Sequence, residues 1–165
     1  MKRDLELKRL IKYAQGMGVE VKFKPYVRGS GNAAEWRLDG SEITIYTTKR
    51  NSKIYNILLL IHELGHHKSF ILNGRKSPSE EYDIFSPSDD KSKKFRRQMY
   101  LTEKRDSRHW ETIYKDTGCT FPVRILKLQR DYDLWVYHYF YKNGVWPSNK
   151  ERGAYRAKLR SKRRE

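Results

Sequence analysis

The run Asn51-Ser-Lys-Ile-Tyr-Asn-Ile-Leu-Leu-Leu-Ile-His-Glu-Leu-Gly-His66 carries the strongest structural signal in this chain. Ile54, Leu58 and Ile61 recur every three to four residues, as a buried helix requires, and Asn51-Ser52 suits the cap that starts one. The spacing predicts a helix over about 52–72. Residues four apart lie on one helical face, so His62 and His66 point the same way. Two neutral imidazoles so placed can grip one divalent metal, typically zinc, and Glu63 between them is set to take a proton from activated water. The motif therefore implies a metal-dependent hydrolase, most often a peptidase. Gly65 costs a helix about 1 kcal/mol relative to alanine, and in exchange lets a neighbouring chain or substrate come close. The plainer alternative is a core helix whose histidines merely satisfy backbone carbonyls.

A catalytic zinc needs a third protein ligand and an open position. The continuation H-x-x-G-x-x-H would need glycine at 69 and histidine at 72, where the chain has Ser69 and Leu72. The other solution is a carboxylate from a later helix. A helix is expected over Phe95–Thr117, ending at Gly118, and Glu103 on it is flanked by Tyr100 and Leu101. His109 and Asp106 are the rival third ligands, and Glu111 lies two turns further on. Asp106 or Ser107, on the face of Glu103, could accept the free N–H of a metal-binding histidine. His67 points about 100° away from the metal face. A second donor for a tetrahedral oxyanion is sought among Tyr82, Tyr100, His109 and Tyr114. The plainer reading of Glu103 is an exposed ion-pair partner.

Outward from this centre, Leu7, Leu10, Ile11, Ala14 and Met17 form a helical stripe stopped by Gly18. Val19–Lys24 alternates with period two and reads as a strand ended by Pro25. Trp36–Leu38 and Ile43–Thr47 flank Asp39-Gly40, a hairpin signal. Asn73–Lys94 is polar and reads as a long loop. Pro122 opens a third element running to Tyr141, read as a helix through Leu128, Tyr132, Trp135 and Tyr139. The expected architecture is α+β: a small antiparallel sheet of about three strands packed on the motif helix and further helices. One domain is expected over 1–147, followed by a basic tail over 148–165.

Thirty-six Lys and Arg oppose twenty Asp and Glu, a formal charge of +16. That excess predicts attraction to polyanions: nucleic acid or an acidic protein surface. It gathers in Lys91–Arg97 and in the tail, where Arg156, Lys158, Arg160, Lys162, Arg163 and Arg164 are nucleic-acid-binding candidates and Trp135 or Tyr139 could stack on bases. A solvated tail and a solvated loop are the plainer account of either cluster alone. No stretch reaches the length of a membrane span, and Met1–Glu6 lacks an apolar signal core. Cys119 stands alone, which excludes an intrachain disulfide and a cysteine-type zinc site. A cytoplasmic setting is expected.

The order helix, strands, His62-Glu63-Leu64-Gly65-His66 helix, polar loop, then a helix with an early glutamate resembles the gluzincins. Within them it looks most like the ImmA/IrrE-type domain, common in phages and mobile elements, over roughly residues 1–118. The resemblance implies a minimal zincin-like fold and one zinc per chain held by His62, His66 and Glu103. It further implies cleavage of a specific protein, often a DNA-bound regulator, in a host cytoplasm or virion. Asp106 stands where that family usually has alanine. Proteases of the SprT type, with a third histidine soon after the motif, match less well. The alternative is a nucleic-acid-binding or phage structural protein on a zincin scaffold.

Overall fold

A computed structural model describes residues 2–26, 33–48, 51–76 and 92–161. The fold is α+β: helix α1 (Lys2–Gly16), strands β1 (Glu20–Pro25), β2 (Ala34–Trp36) and β3 (Glu42–Thr47), then helix α2 (Lys53–Leu72). Helix α3 (Lys93–Asp106), a 3-10 turn (Ser107–His109) and helices α4 (Trp110–Asp116), α5 (Val123–Asn143) and α6 (Asn149–Ser161) follow. Among the described residues no helix is long and apolar enough to cross a membrane. The chain divides into two compact units, Met1–Ser77 with Asp106–Val123, and Pro78–Arg105 with Arg124–Glu165.

In the first unit, α2 begins as its sequence dictates. The Ser52 hydroxyl accepts a hydrogen bond from Tyr55 N at 3.2 Å, satisfying one of the amides a helix start leaves unpaired. The helix ends at Asn73, and Gly74 takes the left-handed conformation (φ 68°). Ile57, Leu60, Ile61 and Leu64 are fully buried, and α2 packs against α1, β2, β3 and α4. Helix α1 buries Glu6, Leu10 and Ala14, one residue per turn. Burying a carboxylate demands partners. Glu6 receives Arg3 Nη1 on both oxygens at 2.8 and 2.7 Å and the amide and hydroxyl of Thr120 at 2.6 Å each, which ties α1 to the chain after α4.

The sheet is mixed, in the order β1-β3-β2, and corrects the antiparallel expectation. β2 and β3 do form the antiparallel hairpin that Asp39-Gly40 signals, with Trp36 opposite Ile43. β1, however, pairs parallel to β3, with Val21 opposite Ile43 and Phe23 opposite Ile45. β2 carries the chain back along the sheet, so β3 sets off in the direction of β1. The strand burying Ile43, Thr44 and Ile45 takes the centre, and the lysine-bearing β1 takes an edge, where charge discourages further pairing. Alternation of residues does not encode strand direction.

Pro122 does precede a helix, α5, nearly all of which belongs to the second unit. Tyr132, Val136 and Leu159 form a buried cluster with Leu128, Trp135 and Tyr155 packed against it. The stretch expected as a basic tail thus contains α6, which joins α5 through Leu159 and Tyr155. Its start is a reciprocal cap: Glu151 accepts Ser148 N and Oγ at 2.7 Å each, and Ser148 Oγ accepts Glu151 N at 3.3 Å. The helix expected over Phe95–Thr117 is interrupted at Ser107–His109.

Candidate metal centre

Among the described residues, His62, Glu63 and His66 are the group whose ligand atoms converge, all within 4.8 Å of one another. One turn of α2 sets the two rings 4.8 Å apart, with their Nε2 atoms 3.0 Å from each other. Two neutral imidazoles cannot hold lone pairs face to face at that distance without something between them, either a shared proton or a cation. Two nitrogens bound tetrahedrally to one zinc would be about 3.3 Å apart, so the pair is within a few tenths of an ångström of a chelating geometry. The donor set therefore fits a zinc-like ion.

The back of His66 is held as well. Its Nδ1 lies 2.7 Å from Asp106 Oδ2, a carboxylate only 2 % exposed. An ionised carboxylate only accepts, so it fixes the proton on Nδ1 and leaves the Nε2 lone pair for an ion. Trp36 lies over the ring, with centroids 6.3 Å apart and planes at 22°, while Trp110 sits 5.1 Å from the ring of His62. Each imidazole has its own indole. Neither tryptophan is singled out by the motif. The available signals were Trp36 beside the hairpin turn, and the Asp106, Trp110, Ile113 spacing, which is helical.

Gly65 explains how Asp106 arrives. A Cβ at that position would lie 2.9 Å from both the Asp106 carbonyl oxygen and Trp110 Nε1. The absent side chain admits the turn between α3 and α4 against α2. The close neighbour foreseen for this glycine is the chain itself.

His67 takes no part in the converging set. It is fully buried, with Nδ1 receiving Trp36 Nε1 at 3.3 Å, so that Nε2 donates to the Met17 carbonyl at 3.2 Å. Burial pushes its pKa below the usual histidine range.

The remaining candidates divide. Glu103 is buried on α3, one turn before Asp106; it is not in the converging set and belongs to the second unit. His109 ends the 3-10 turn and Glu111 opens α4, and neither is in that set. Tyr114 donates its hydroxyl to the Phe121 carbonyl, so it is engaged in holding the chain after α4. Tyr100 stacks on Tyr141 (6.1 Å, 6°) within the second unit. Tyr82, Lys162, Arg163 and Arg164 lie outside the described residues. Arg156 lies over the Tyr132 ring, 4.5 Å from its centroid, Lys158 lines a cleft beside α6, and Arg160 is exposed. Comparison with protein-family models, characterised proteins and solved structures yields no match for this chain.

Proposed function

We propose that this protein is a zinc-dependent peptidase that cleaves a specific protein substrate. The observation that carries the reading is the pair of Nε2 atoms 3.0 Å apart, with Asp106 fixing the tautomer of one ring from behind. Histidines that only satisfy carbonyls would look like His67, next in sequence, which bonds Trp36 and the Met17 carbonyl; His62 and His66 instead turn their Nε2 atoms toward each other, held by a shared proton until an ion replaces it. On this reading His62 and His66 hold the ion, and the gluzincin likeness implies Glu103 as the third ligand. Bound there, zinc would supply a Lewis acid that polarises the scissile carbonyl and acidifies water. Glu63, 7 % exposed and within the same turn of helix, takes the proton of the attacking water on its carboxylate and passes it to the departing amine nitrogen. Asp106 keeps the His66 ring oriented and raises its basicity toward the ion. The gluzincin likeness, of ImmA/IrrE type, supports the same reading and suggests a narrow protein substrate.

Metal analysis tests it. Purified protein is expected to hold close to one zinc per chain, and His62→Ala or His66→Ala to lose it. Glu103→Gln is expected to bind zinc more weakly, with His109→Gln and Glu111→Gln as controls that leave it unchanged. Glu63→Gln should retain the metal and lose cleavage of a peptide library. Stoichiometric zinc binding that survives both histidine substitutions, or full cleavage by Glu63→Gln, would end the proposal.

A further inference from the structure

The charge of this chain is not spread evenly over its two units. Among the described residues the second unit carries fifteen Lys and Arg against four Asp and Glu, whereas the larger first unit carries fourteen against ten. A surface of that composition attracts polyanions whatever else it does. Within the same unit a cleft of about 350 Å³ opens between α5 and α6, lined by Trp135, Tyr139, Tyr155, Ala154, Glu151 and Lys158. Trp135 and Tyr155 stack at 4.3 Å with planes 5° apart, and Tyr139 stands 5.6 Å from Trp135, so the walls are chiefly aromatic.

The one carboxylate in the cleft is already engaged. Glu151 accepts the Tyr139 hydroxyl and both donors of Ser148, which together hold its pKa below the usual carboxylate range. Lys158 at the rim and Lys150 near the start of α6 are exposed, and neither is in an ion pair among the described residues.

We infer that this cleft binds single-stranded nucleic acid, a base entering against the aromatic walls and the flanking phosphates lying on Lys158 and Lys150. Charge alone would serve an acidic protein as well. The aromatic cleft separates the two, because an unstacked base offers a flat face to an indole or phenol ring and a carboxylate side chain does not. It also favours single strands over duplex, whose bases are stacked on each other. The inference is independent of the peptidase reading, since Glu63→Gln and His62→Ala leave this unit unaltered.

The test is fluorescence anisotropy of the full-length protein with a labelled twenty-residue oligothymidylate between 50 and 200 mM NaCl. Affinity is expected to fall steeply with salt, with a log–log slope of roughly −0.7 for each phosphate neutralised. Lys150→Glu with Lys158→Glu, both exposed on α6, should weaken binding at least tenfold and flatten the slope. Tyr139→Ala should weaken it about fivefold or more, and Tyr139→Phe, which keeps the ring, much less. Quenching of tryptophan emission by the oligonucleotide in the unaltered protein, absent with poly-glutamate, needs no variant. Equal affinity for poly-glutamate or for phosphatidylserine vesicles, without quenching, would overturn the inference in favour of a general anionic partner. Unchanged affinity in the double charge variant would overturn it as well.

Discussion

Replacing Gly65 by alanine sets two known quantities against each other. Alanine inside a helix is worth about 1 kcal/mol over glycine, so on propensity alone the variant is more stable. The new methyl, however, meets the Asp106 carbonyl and Trp110 Nε1 at 2.9 Å, and Trp110 is only 2 % exposed. A backbone oxygen and a packed indole cannot swing aside as the tip of a lysine can. Relieving such contacts typically costs about 1–3 kcal/mol. The expected net loss is therefore up to about 2 kcal/mol, a fall in Tm of a few degrees for a chain of this size. A second effect reaches the proposed metal site. Pushing the Asp106 backbone away lengthens its bond to His66, and loss of such a supporting bond typically weakens metal binding about 10–100-fold. The assay is thermal unfolding with and without zinc, alongside zinc competition with a chelator. Gly153 supplies the control: it lies inside α6 with nothing within 4 Å of a built Cβ, so Gly153→Ala should gain up to about 1 kcal/mol. If Gly65→Ala is stabilised as much as Gly153→Ala and binds zinc as tightly as the parent, the close approach of Asp106 and Trp110 to α2 is refuted.

Asp106→Asn keeps an acceptor beside His66 but removes its charge, and zinc affinity should drop about 10–100-fold while the fold persists by circular dichroism. Trp36→Phe leaves a ring near His66 but strands the buried His67 Nδ1 without its donor, at an expected cost of about 1–3 kcal/mol in urea unfolding. Glu6→Gln tests the buried carboxylate. Burial pushes its pKa up, yet the hydrogen bonds from Arg3 and Thr120 outweigh burial and leave it below its ordinary 4.5. A lowered carboxyl stabilises the fold fully above its unfolded value and loses that contribution as pH falls through the folded one. The variant should thus be about 2 kcal/mol less stable at pH 7, with the gap closing below about pH 4.5; a gap constant with pH would contradict the assignment.

What could be read from the sequence follows from how local each feature is. The motif helix announces itself through its own period and its Ser52 cap, and the hairpin through Asp39-Gly40, because both depend on neighbours in the chain. The parallel placement of β1 does not, since Val19–Lys24 alternates identically in either direction. Asp-Ser-Arg-His at 106–109 reads as continuous helix. The break there belongs to tertiary contact, in which Asp106 reaches His66 while Trp110 fits against Gly65. Helix α6 was legible in Ser148-Asn-Lys-Glu151, a capping pattern, but the charge of the residues after it argues for a solvated tail. The pairing of Asp106 with His66, forty residues apart, leaves no trace in spacing.

The doubled histidine at 66 and 67 would, in an unfixed helix, offer an incoming ion two competing chelates. Here one imidazole of the two has both nitrogens committed, to Trp36 and to the Met17 carbonyl. Rolling α2 by a single residue would tear two buried bonds at once, so the orientation of the helix about its own axis is locked by contacts within the chain. On the proposed metal reading, misloading through the wrong ring would thereby be precluded by a residue that never touches the ion.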